Sequence, residues 1–254
     1  METVVRKPFQ GVLNIVRFNW HFYLIASAVV VALFILCAFV DSAMYWIYIT
    51  VAAVIVLATA ISLSVSYYVY DRSRLYDFSW FERIHLPQRL INIHAGFDET
   101  SAVIKARFPL ATLSVFDFYD REKHTEISIE RARKAYPPFE GTMKVTTDTL
   151  PSSAGSADVI FNIFALHEVR LREERIQFLK RQVELLHDDG QCIVVEHLRD
   201  VPNFLAYNIG FFHFYSRREW NANFHEAGLH LDTHFNITPF VSVFILRKRH
   251  GNTP

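Results

Sequence analysis

Two long runs of apolar residues open the chain, and short strands and helices alternate after them. Phe18 to Val40 contains no Asp, Glu, Lys or Arg over 23 residues, and Ser42 to Tyr70 contains none over 29. About 20 helical residues cross a bilayer core about 30 Å thick. The pattern predicts a transmembrane α-helical hairpin, with helices at about 18–40 and 44–70, as an anchor over residues 1–74. Two buried helices of a soluble protein are the alternative.

The charges that flank the two runs predict their orientation. Arg6, Lys7 and Arg17 precede the first run, Arg72 and Arg74 follow the second, and the turn between them has no basic residue. Because basic residues concentrate on the cytoplasmic side of a membrane, both termini are expected in the cytoplasm. Neither run contains an acidic or basic residue at mid-depth, which argues against a transport pathway.

Residues 75–254 alternate between strand and helix patterns, as expected for one cytoplasmic domain. Strands are predicted at 89–93, 112–116, 142–146, 158–164, 191–195 and 241–246, and helices at 99–107, 126–136 and 171–187. This order predicts an α/β fold with a Rossmann-like, mostly parallel sheet flanked by helices. Asp188 and Asp189 are expected to end the last of these helices, with Gly190 available as its left-handed cap.

Composition excludes several classes of protein. Hydrophobic residues make up 51% of the 254 residues, and 26 basic residues balance 26 acidic ones. The high hydrophobic content and the zero net charge exclude a disordered chain, and the absence of a basic excess gives no support to charge-driven binding of nucleic acid. The two cysteines, Cys37 and Cys192, are too few for a disulfide scaffold.

Residues that can bind ligands stand where the predicted strands end. Asp117 follows the second strand, His167 and Glu168 follow the fourth, and Glu196 and His197 follow the fifth. Ligands of parallel sheets bind beyond the carboxyl ends of the strands, so these side chains are expected at one edge. An acid at the end of the second strand, about 20 residues after the first turn, suits the two hydroxyls of a ribose.

Several short motifs follow one another between Leu90 and about Leu246. They are Asn92–Asp98, Asp117, Ser128–Arg133, Asp148 with Leu150-Pro151, Ala157–Ile160, Ala165–His167, and Leu186–Gly190 before the strand that ends on Glu196. In order and spacing this set resembles the class I S-adenosylmethionine-dependent methyltransferases, near the branch that methylates quinones and other small lipophilic molecules. The resemblance implies S-adenosylmethionine as cofactor. It assigns cofactor binding to Asn92, His94, Gly96, Asp98, Asp117, Phe118, Asp148, Thr149 and Phe164.

The resemblance, together with the predicted anchor, implies a membrane-anchored methyltransferase for a lipophilic small molecule, with methylation at oxygen. A hydroxyl acceptor needs a base with a pKa near neutrality, which favours histidine. The candidate catalytic residues are His167, His197 and His213, with Glu168 and Glu196 as orienting or alternative bases. The same residues could hold a divalent metal, but their spacing matches no metal motif, so no metal ligand is assigned.

Two features keep alternatives open. Only Gly96 of the family's three turn glycines is present; His94 and Asp98 occupy the other positions, and Asn92 replaces the usual acid. Because such glycines let the backbone approach the cofactor, the altered turn favours a non-catalytic, membrane-tethered scaffold or ligand sensor. The aromatic run 211–215 could line an acceptor pocket, lie in the core or rest on the membrane.

Overall fold

Three helices precede an α/β domain in the computed structural model, which describes residues 6–81, 87–124, 126–151 and 154–249. The helices are α1 (Gln10–Phe18), α2 (Trp20–Leu36) and α3 (Ser42–Tyr67). A 3₁₀ turn (Cys37–Phe39) extends α2, and a π-helical turn (Tyr68–Arg72) extends α3.

Helices α2 and α3 form an apolar hairpin. With their extensions they cover 20 residues from Trp20 to Phe39 and 31 from Ser42 to Arg72, and both are long and apolar enough to span a membrane. In the most apolar part of each, no residue of the first and 11% of the second are buried inside the protein. A core helix of a soluble protein would be covered. The hairpin thus presents a large apolar surface, most of which the described residues leave uncovered.

The base of the hairpin is fixed to the α/β domain. The sequence pattern does not predict α1 as a separate helix, yet α1 packs between the hairpin and the domain. Asn14 on α1 accepts a hydrogen bond from the Tyr136 hydroxyl (2.9 Å). Asp71, just beyond α3, accepts from the backbone N–H groups of Gly11 and Val12 (2.7 and 2.8 Å). These bonds hold the C-terminal end of α3 in a defined position against the domain.

The α/β domain contains one seven-stranded sheet in the order β3-β2-β1-β4-β5-β7-β6. Its strands are β1 (Arg89–His94), β2 (Thr112–Asp117), β3 (Met143–Lys144), β4 (Ala157–Ile163), β5 (Leu186–Glu196), β6 (Leu229–Thr238) and β7 (Val241–Lys248). Its helices are α4 (Ser101–Arg107), α5 (Ile127–Ala135), α6 (Arg172–Leu185), α7 (Val201–Tyr207) and α8 (Arg217–Glu226). Strands β1 to β5 are parallel, and β7 is antiparallel to both neighbours. The predicted Rossmann-like, mostly parallel sheet is confirmed.

The sequence pattern and the structure differ at the end of α6 and after β5. The chain enters β5 at Leu186, so Gly190 lies within a strand and does not cap a helix. A Cβ on Gly190 would lie 3.0 Å from the Ala157 carbonyl oxygen, and this close approach of β4 explains the glycine. The pattern also misses α7, α8 and β6. Strand β6 carries polar residues among its apolar ones and is largely exposed or half-buried, which weakens its signal.

Two apolar clusters cover the two faces of the sheet. Ile160 and Val194 belong to the cluster under α6 and α8, and Phe161 and Ile193 belong to the cluster on the opposite face. This second cluster also contains Val69, from the extension of α3. The alternation along β4 and β5 is that of strands buried on both faces. The end of α3 is therefore part of the domain core.

Candidate functional site

The turn between β1 and α4 is closed by a side chain. Asp98 Oδ1 accepts hydrogen bonds from the backbone N–H groups of Thr100 and Ser101, both at 2.9 Å. Gly96 has a φ of +99°, and a Cβ there would lie 2.9 Å from Arg133 Nη1. Only glycine fits this position without strain. Asp98 thus stabilises this turn by accepting two hydrogen bonds, at a position where the methyltransferase motif has glycine.

Three buried polar atoms at this turn have no hydrogen-bond partner among the described residues: Asn92 Oδ1, His94 Nε2 and Asp98 Oδ2. His94 Nδ1 accepts from the Gly96 N–H (3.1 Å). Burial lowers the pKa of His94 despite the nearby carboxylates of Asp98 and Asp117, so the ring is neutral and Nε2 carries its proton. Each unpartnered buried group costs about 1–3 kcal/mol. Two acceptors and one donor are therefore available here for a polar ligand.

Asp117 ends β2 beside this turn, and its carboxylate already has partners. It accepts from the Tyr119 N–H (3.0 Å) and from Arg133 Nη1 (2.5 Å). Arg133 also donates to the Gly96 carbonyl (3.2 Å), and its guanidinium lies over the Tyr119 ring. The sequence places Arg133 in a helix motif and gives no sign of this contact. The Arg133 side chain is 27% exposed and covers the carboxylate predicted to bind ribose.

The other predicted cofactor residues have different surroundings. The Phe118 ring packs in the core against Phe178, with ring centroids 5.0 Å apart. Asp148 and Thr149 are exposed in the loop after β3. Phe164 follows β4 with a φ of +50°, a conformation that is uncommon outside glycine and concentrates at functional sites. Asp117, Phe164 and the residues of the turn between β1 and α4 thus lie at the carboxyl edge of the sheet. The Phe118 side chain does not.

Four of the five predicted catalytic residues meet at the carboxyl ends of β4 and β5; we call His167, Glu168, Glu196 and His213 the His/Glu cluster. His167 Nδ1 lies 2.6 Å from Glu196 Oε2, and His167 Nε2 lies 3.1 Å from Glu168 Oε1. His213 Nε2 lies 3.5 Å from the same Glu168 oxygen. Three separate segments of the chain therefore meet in this cluster, with His167 and Glu168 at its centre.

The His/Glu cluster contains strongly coupled charges. Burial lowers the pKa of His167, but the carboxylates of Glu196 and Glu168 outweigh it and hold that pKa well above its usual range. Burial likewise raises the pKa of Glu168, and the contacts with His167 and His213 outweigh it and lower that pKa. Among the described residues, no Lys or Arg side chain pairs with Glu168 or Glu196. Two buried carboxylates thus depend on imidazoles for their charge compensation.

Two residues that the sequence does not single out as site residues support this cluster. Arg170 Nη1 donates to the backbone carbonyls of His167 (3.1 Å) and His213 (2.7 Å) and so joins the two segments. Glu126, at the start of α5, places Oε1 3.0 Å from His213 Nδ1. The contacts of Arg170 and Glu126 with His213 arise from packing between segments that are distant in sequence.

His197, the fifth predicted catalytic residue, lies apart from the cluster. Its Nδ1 donates to the Phe240 carbonyl (2.8 Å), which leaves Nε2 to accept from the Tyr70 hydroxyl (2.8 Å). Its ring stacks between Phe164 and Phe214, with centroid distances of 4.8 and 5.0 Å. With both nitrogens occupied, His197 connects the end of α3 to the carboxyl edge of the sheet.

This burial predicts a pH dependence of stability. Burial lowers the pKa of His197 from 6.5 to about 4. In the unfolded chain the imidazole takes up a proton as the pH falls below about 6.5, whereas in the folded protein it does so only near pH 4. The free energy of unfolding therefore falls as the pH drops through this interval, by about 3 kcal/mol at pH 4. We expect His197→Phe to flatten this fall, measured by thermal unfolding between pH 6.5 and 4. His230→Phe, at an exposed histidine, is the control with the wild-type slope; equal slopes in all three would contradict the prediction.

The fold, unlike the sequence, matches known proteins. No protein-family model and no curated protein matches the chain. The structure of human N-acetylserotonin methyltransferase in complex with SAM aligns with 76% of this chain and 56% of its own, at 12% identity and a TM-score of 0.53.

An O-methyltransferase family 2 protein from Planctomyces limnophilus, in complex with apigenin, aligns with 75% of this chain and 61% of its own, at 14% identity and a TM-score of 0.51. The chain thus spans less than two thirds of either neighbour, and at these identities the likeness establishes the fold alone. The α/β domain has the Rossmann-like fold of the S-adenosylmethionine-dependent methyltransferases.

Proposed function

We propose that the protein is a membrane-anchored methyltransferase that uses S-adenosylmethionine to methylate an oxygen of a lipophilic small molecule. The observation that carries this proposal is a pairing of two sites on one edge of the sheet. The unpartnered polar atoms of the β1 turn and the His/Glu cluster both lie at the carboxyl ends of the parallel strands, where such folds bind ligands.

The turn fits the polar groups of S-adenosylmethionine. Among the described residues, Asn92 Oδ1 and Asp98 Oδ2 are buried acceptors without hydrogen-bond partners, and Asp98 Oδ2 lies 4.0 Å from His94 Nε2. The two acceptors suit an ammonium group. The protonated Nε2 of His94 is a donor that suits a carboxylate. Asp117 suits the ribose hydroxyls once Arg133, which is partly exposed, has moved to solvent. The chain therefore offers a complementary group for each polar end of the cofactor.

The reaction needs removal of one proton. When bound, S-adenosylmethionine supplies a methyl group on a sulfonium. The acceptor hydroxyl must lose its proton as its oxygen gains the methyl group and the sulfur becomes neutral. We assign this proton removal to His213 of the His/Glu cluster, whose backbone carbonyl accepts a hydrogen bond from Arg170. His167, whose pKa the carboxylates of Glu196 and Glu168 hold well above its usual range, keeps its own proton and compensates their charge.

A second apolar surface supports action at a membrane. No Asp, Glu, Lys or Arg occurs from Val201 to Ser216. Leu205, Ile209 and Phe212 in this segment are 62%, 83% and 61% exposed, and α7 packs against α3. We call these three residues the α7 surface. We place the α7 surface beside the hairpin, on the cytoplasmic face of the bilayer. A 3₁₀ segment (Asn208–His213) follows α7 and ends on His213, so an acceptor dissolved in the membrane would have a short route to this residue.

Methyl transfer to phenols in liposomes tests the proposed function. We expect the full chain to convert a bilayer-partitioning phenol to its methyl ether, with a far higher KM for a water-soluble phenol. Ile209→Ser/Phe212→Ser should raise the KM for the lipophilic phenol about tenfold, because two apolar contacts with lipid are lost, and should leave kcat unchanged.

The matched control for this experiment is Leu110→Ser. Leu110 is 94% exposed and precedes β2, at the opposite edge of the sheet. The Leu110→Ser variant should keep the wild-type KM for the lipophilic phenol. A folded protein that methylates none of the phenols would contradict the proposed activity, and an equal rise of KM in Leu110→Ser would contradict the role of the α7 surface.

A ligand sensor without catalysis is the second candidate. The Arg133–Asp117 ion pair favours it, because this pair satisfies the carboxylate in the absence of any cofactor. The buried His/Glu cluster favours the enzyme, because burying carboxylates is costly and a sensor of the cofactor alone has no use for them. Cofactor binding without transfer to any acceptor would identify the sensor.

A further inference from the structure

We propose that the His/Glu cluster binds a divalent transition-metal ion, with His167 Nε2, Glu168 Oε1 and His213 Nε2 as its protein ligands. One ligand atom from each of these residues lies within 4.8 Å of the other two. Glu168 Oε1 is 3.1 Å from His167 Nε2 and 3.5 Å from His213 Nε2. In a tetrahedral zinc site with bonds near 2.0–2.1 Å, ligand atoms are about 3.3 Å apart. The two measured distances lie on either side of this value.

The far nitrogen of each histidine is held by a carboxylate. His167 Nδ1 lies 2.6 Å from Glu196, and His213 Nδ1 lies 3.0 Å from Glu126. Metal-binding histidines characteristically donate their second N–H to such an acceptor, which fixes the ring and leaves the other nitrogen for the metal. His213 Nε2 is buried and has no hydrogen-bond partner among the described residues. Both rings are therefore oriented as ligands toward Glu168.

The charge of the cluster also fits a cation. Three carboxylates, those of Glu126, Glu168 and Glu196, surround two imidazoles, and the nearby Arg170 is bonded to backbone carbonyls of the two histidine segments. A divalent ion would compensate the excess negative charge. Two imidazoles and one carboxylate are ligands typical of zinc and its neighbours in the first transition row. With three protein ligands, one position stays open for an exogenous oxygen.

The open position gives the cluster a means of removing the acceptor proton. A metal held by His167, Glu168 and His213 would lower the pKa of an acceptor hydroxyl at the open position, so that the hydroxyl could release its proton to water before its oxygen takes the methyl group. The histidines then act as ligands and the metal performs the activation. This use of the metal rests on the proposed methyltransferase function; the binding of the metal does not.

Zinc binding to the untagged, chelator-treated full chain in detergent tests the proposal without cofactor or acceptor. We expect calorimetry to show one Zn²⁺ per chain, and Co²⁺ to give the intense visible absorption of a four- or five-coordinate site. His213→Ala, at a ring that is 25% exposed, should weaken binding at least a hundredfold, and so should Glu168→Gln. Glu126→Ala, which frees His213 Nδ1, should weaken it about tenfold to a hundredfold. His230→Ala, at an exposed histidine, should bind as wild type does.

The outcomes separate this proposal from the proposed function. A folded wild-type protein that binds no zinc, or an affinity that His213→Ala and Glu168→Gln leave unchanged, would overturn the metal site. Titration with S-adenosylmethionine in the same buffer is independent of it. Zinc binding without cofactor binding would overturn the methyltransferase proposal and leave the metal site in place. Cofactor binding without zinc binding would overturn the metal site and leave the methyltransferase proposal in place.

Discussion

Asp117→Ala is expected to abolish the binding of S-adenosylmethionine and to leave the protein folded. The carboxylate is the acceptor proposed for two ribose hydroxyls, and hydrogen bonds to a charged group contribute about 1.5–3 kcal/mol each. Losing both corresponds to a fall in affinity of at least about a hundredfold. Folding is expected to persist because Arg133, the charged partner of Asp117, is partly exposed and can turn to solvent. Calorimetric titration measures the affinity, and circular dichroism checks the fold.

Asp120→Ala is the matched control for this substitution. Asp120 is an exposed carboxylate three residues further along the chain, and it accepts a local hydrogen bond from the Glu122 N–H. Its removal should leave the affinity unchanged. Wild-type affinity in Asp117→Ala would contradict the assignment of the ribose site, and an equal loss in both variants would show an effect that is not specific to Asp117.

Lysines at the middle of the hairpin are expected to prevent membrane insertion. Val31 and Val56 lie near the centres of the two apolar segments, and both side chains are 56% exposed. A lysine at the centre of a spanning helix costs about 2.5–3.5 kcal/mol on insertion. The Val31→Lys/Val56→Lys variant should therefore be lost from membranes washed with alkaline carbonate. The apolar variant Val31→Leu/Val56→Leu should stay in the membrane fraction, as wild type does. Retention of the lysine variant would contradict a spanning hairpin.

Most of the order of strands and helices from β1 to β5 could be predicted from the sequence because these elements have clear patterns, whereas α1, α7, α8 and β6 could not. Residues 159–161 of β4 and 192–195 of β5 are continuous apolar runs, and the helix between the two strands repeats apolar residues at spacings of three and four. The end of that helix could not be placed, because Gly190 serves the close approach of β4 and not a helix cap. Patterns in sequence report which residues are buried; they do not report which neighbour approaches them.

The same distinction applies to the candidate site. The residues at the strand ends could be predicted because parallel strands bring their carboxyl ends together, and His167 and Glu196 do meet. The pairing of Glu126 with His213 joins residues 87 positions apart through the packing of two loops, and no local signal indicates it. The contact between Arg133 and Asp117 depends likewise on how α5 packs beside β2. Such contacts decide what the site can bind, and only the structure contains them.

Calorimetric titration of the detergent-purified protein with S-adenosylmethionine, and separately with S-adenosylhomocysteine, measures most directly whether the altered turn holds the cofactor. Micromolar binding is the expected result, with Asn92, His94 and Asp98 meeting the amino acid part of the ligand and Asp117 meeting its ribose. The absence of binding to either compound, in a sample shown to be folded, would contradict the methyltransferase proposal. His94 and Asp98, which replace the turn glycines, would then account for the loss.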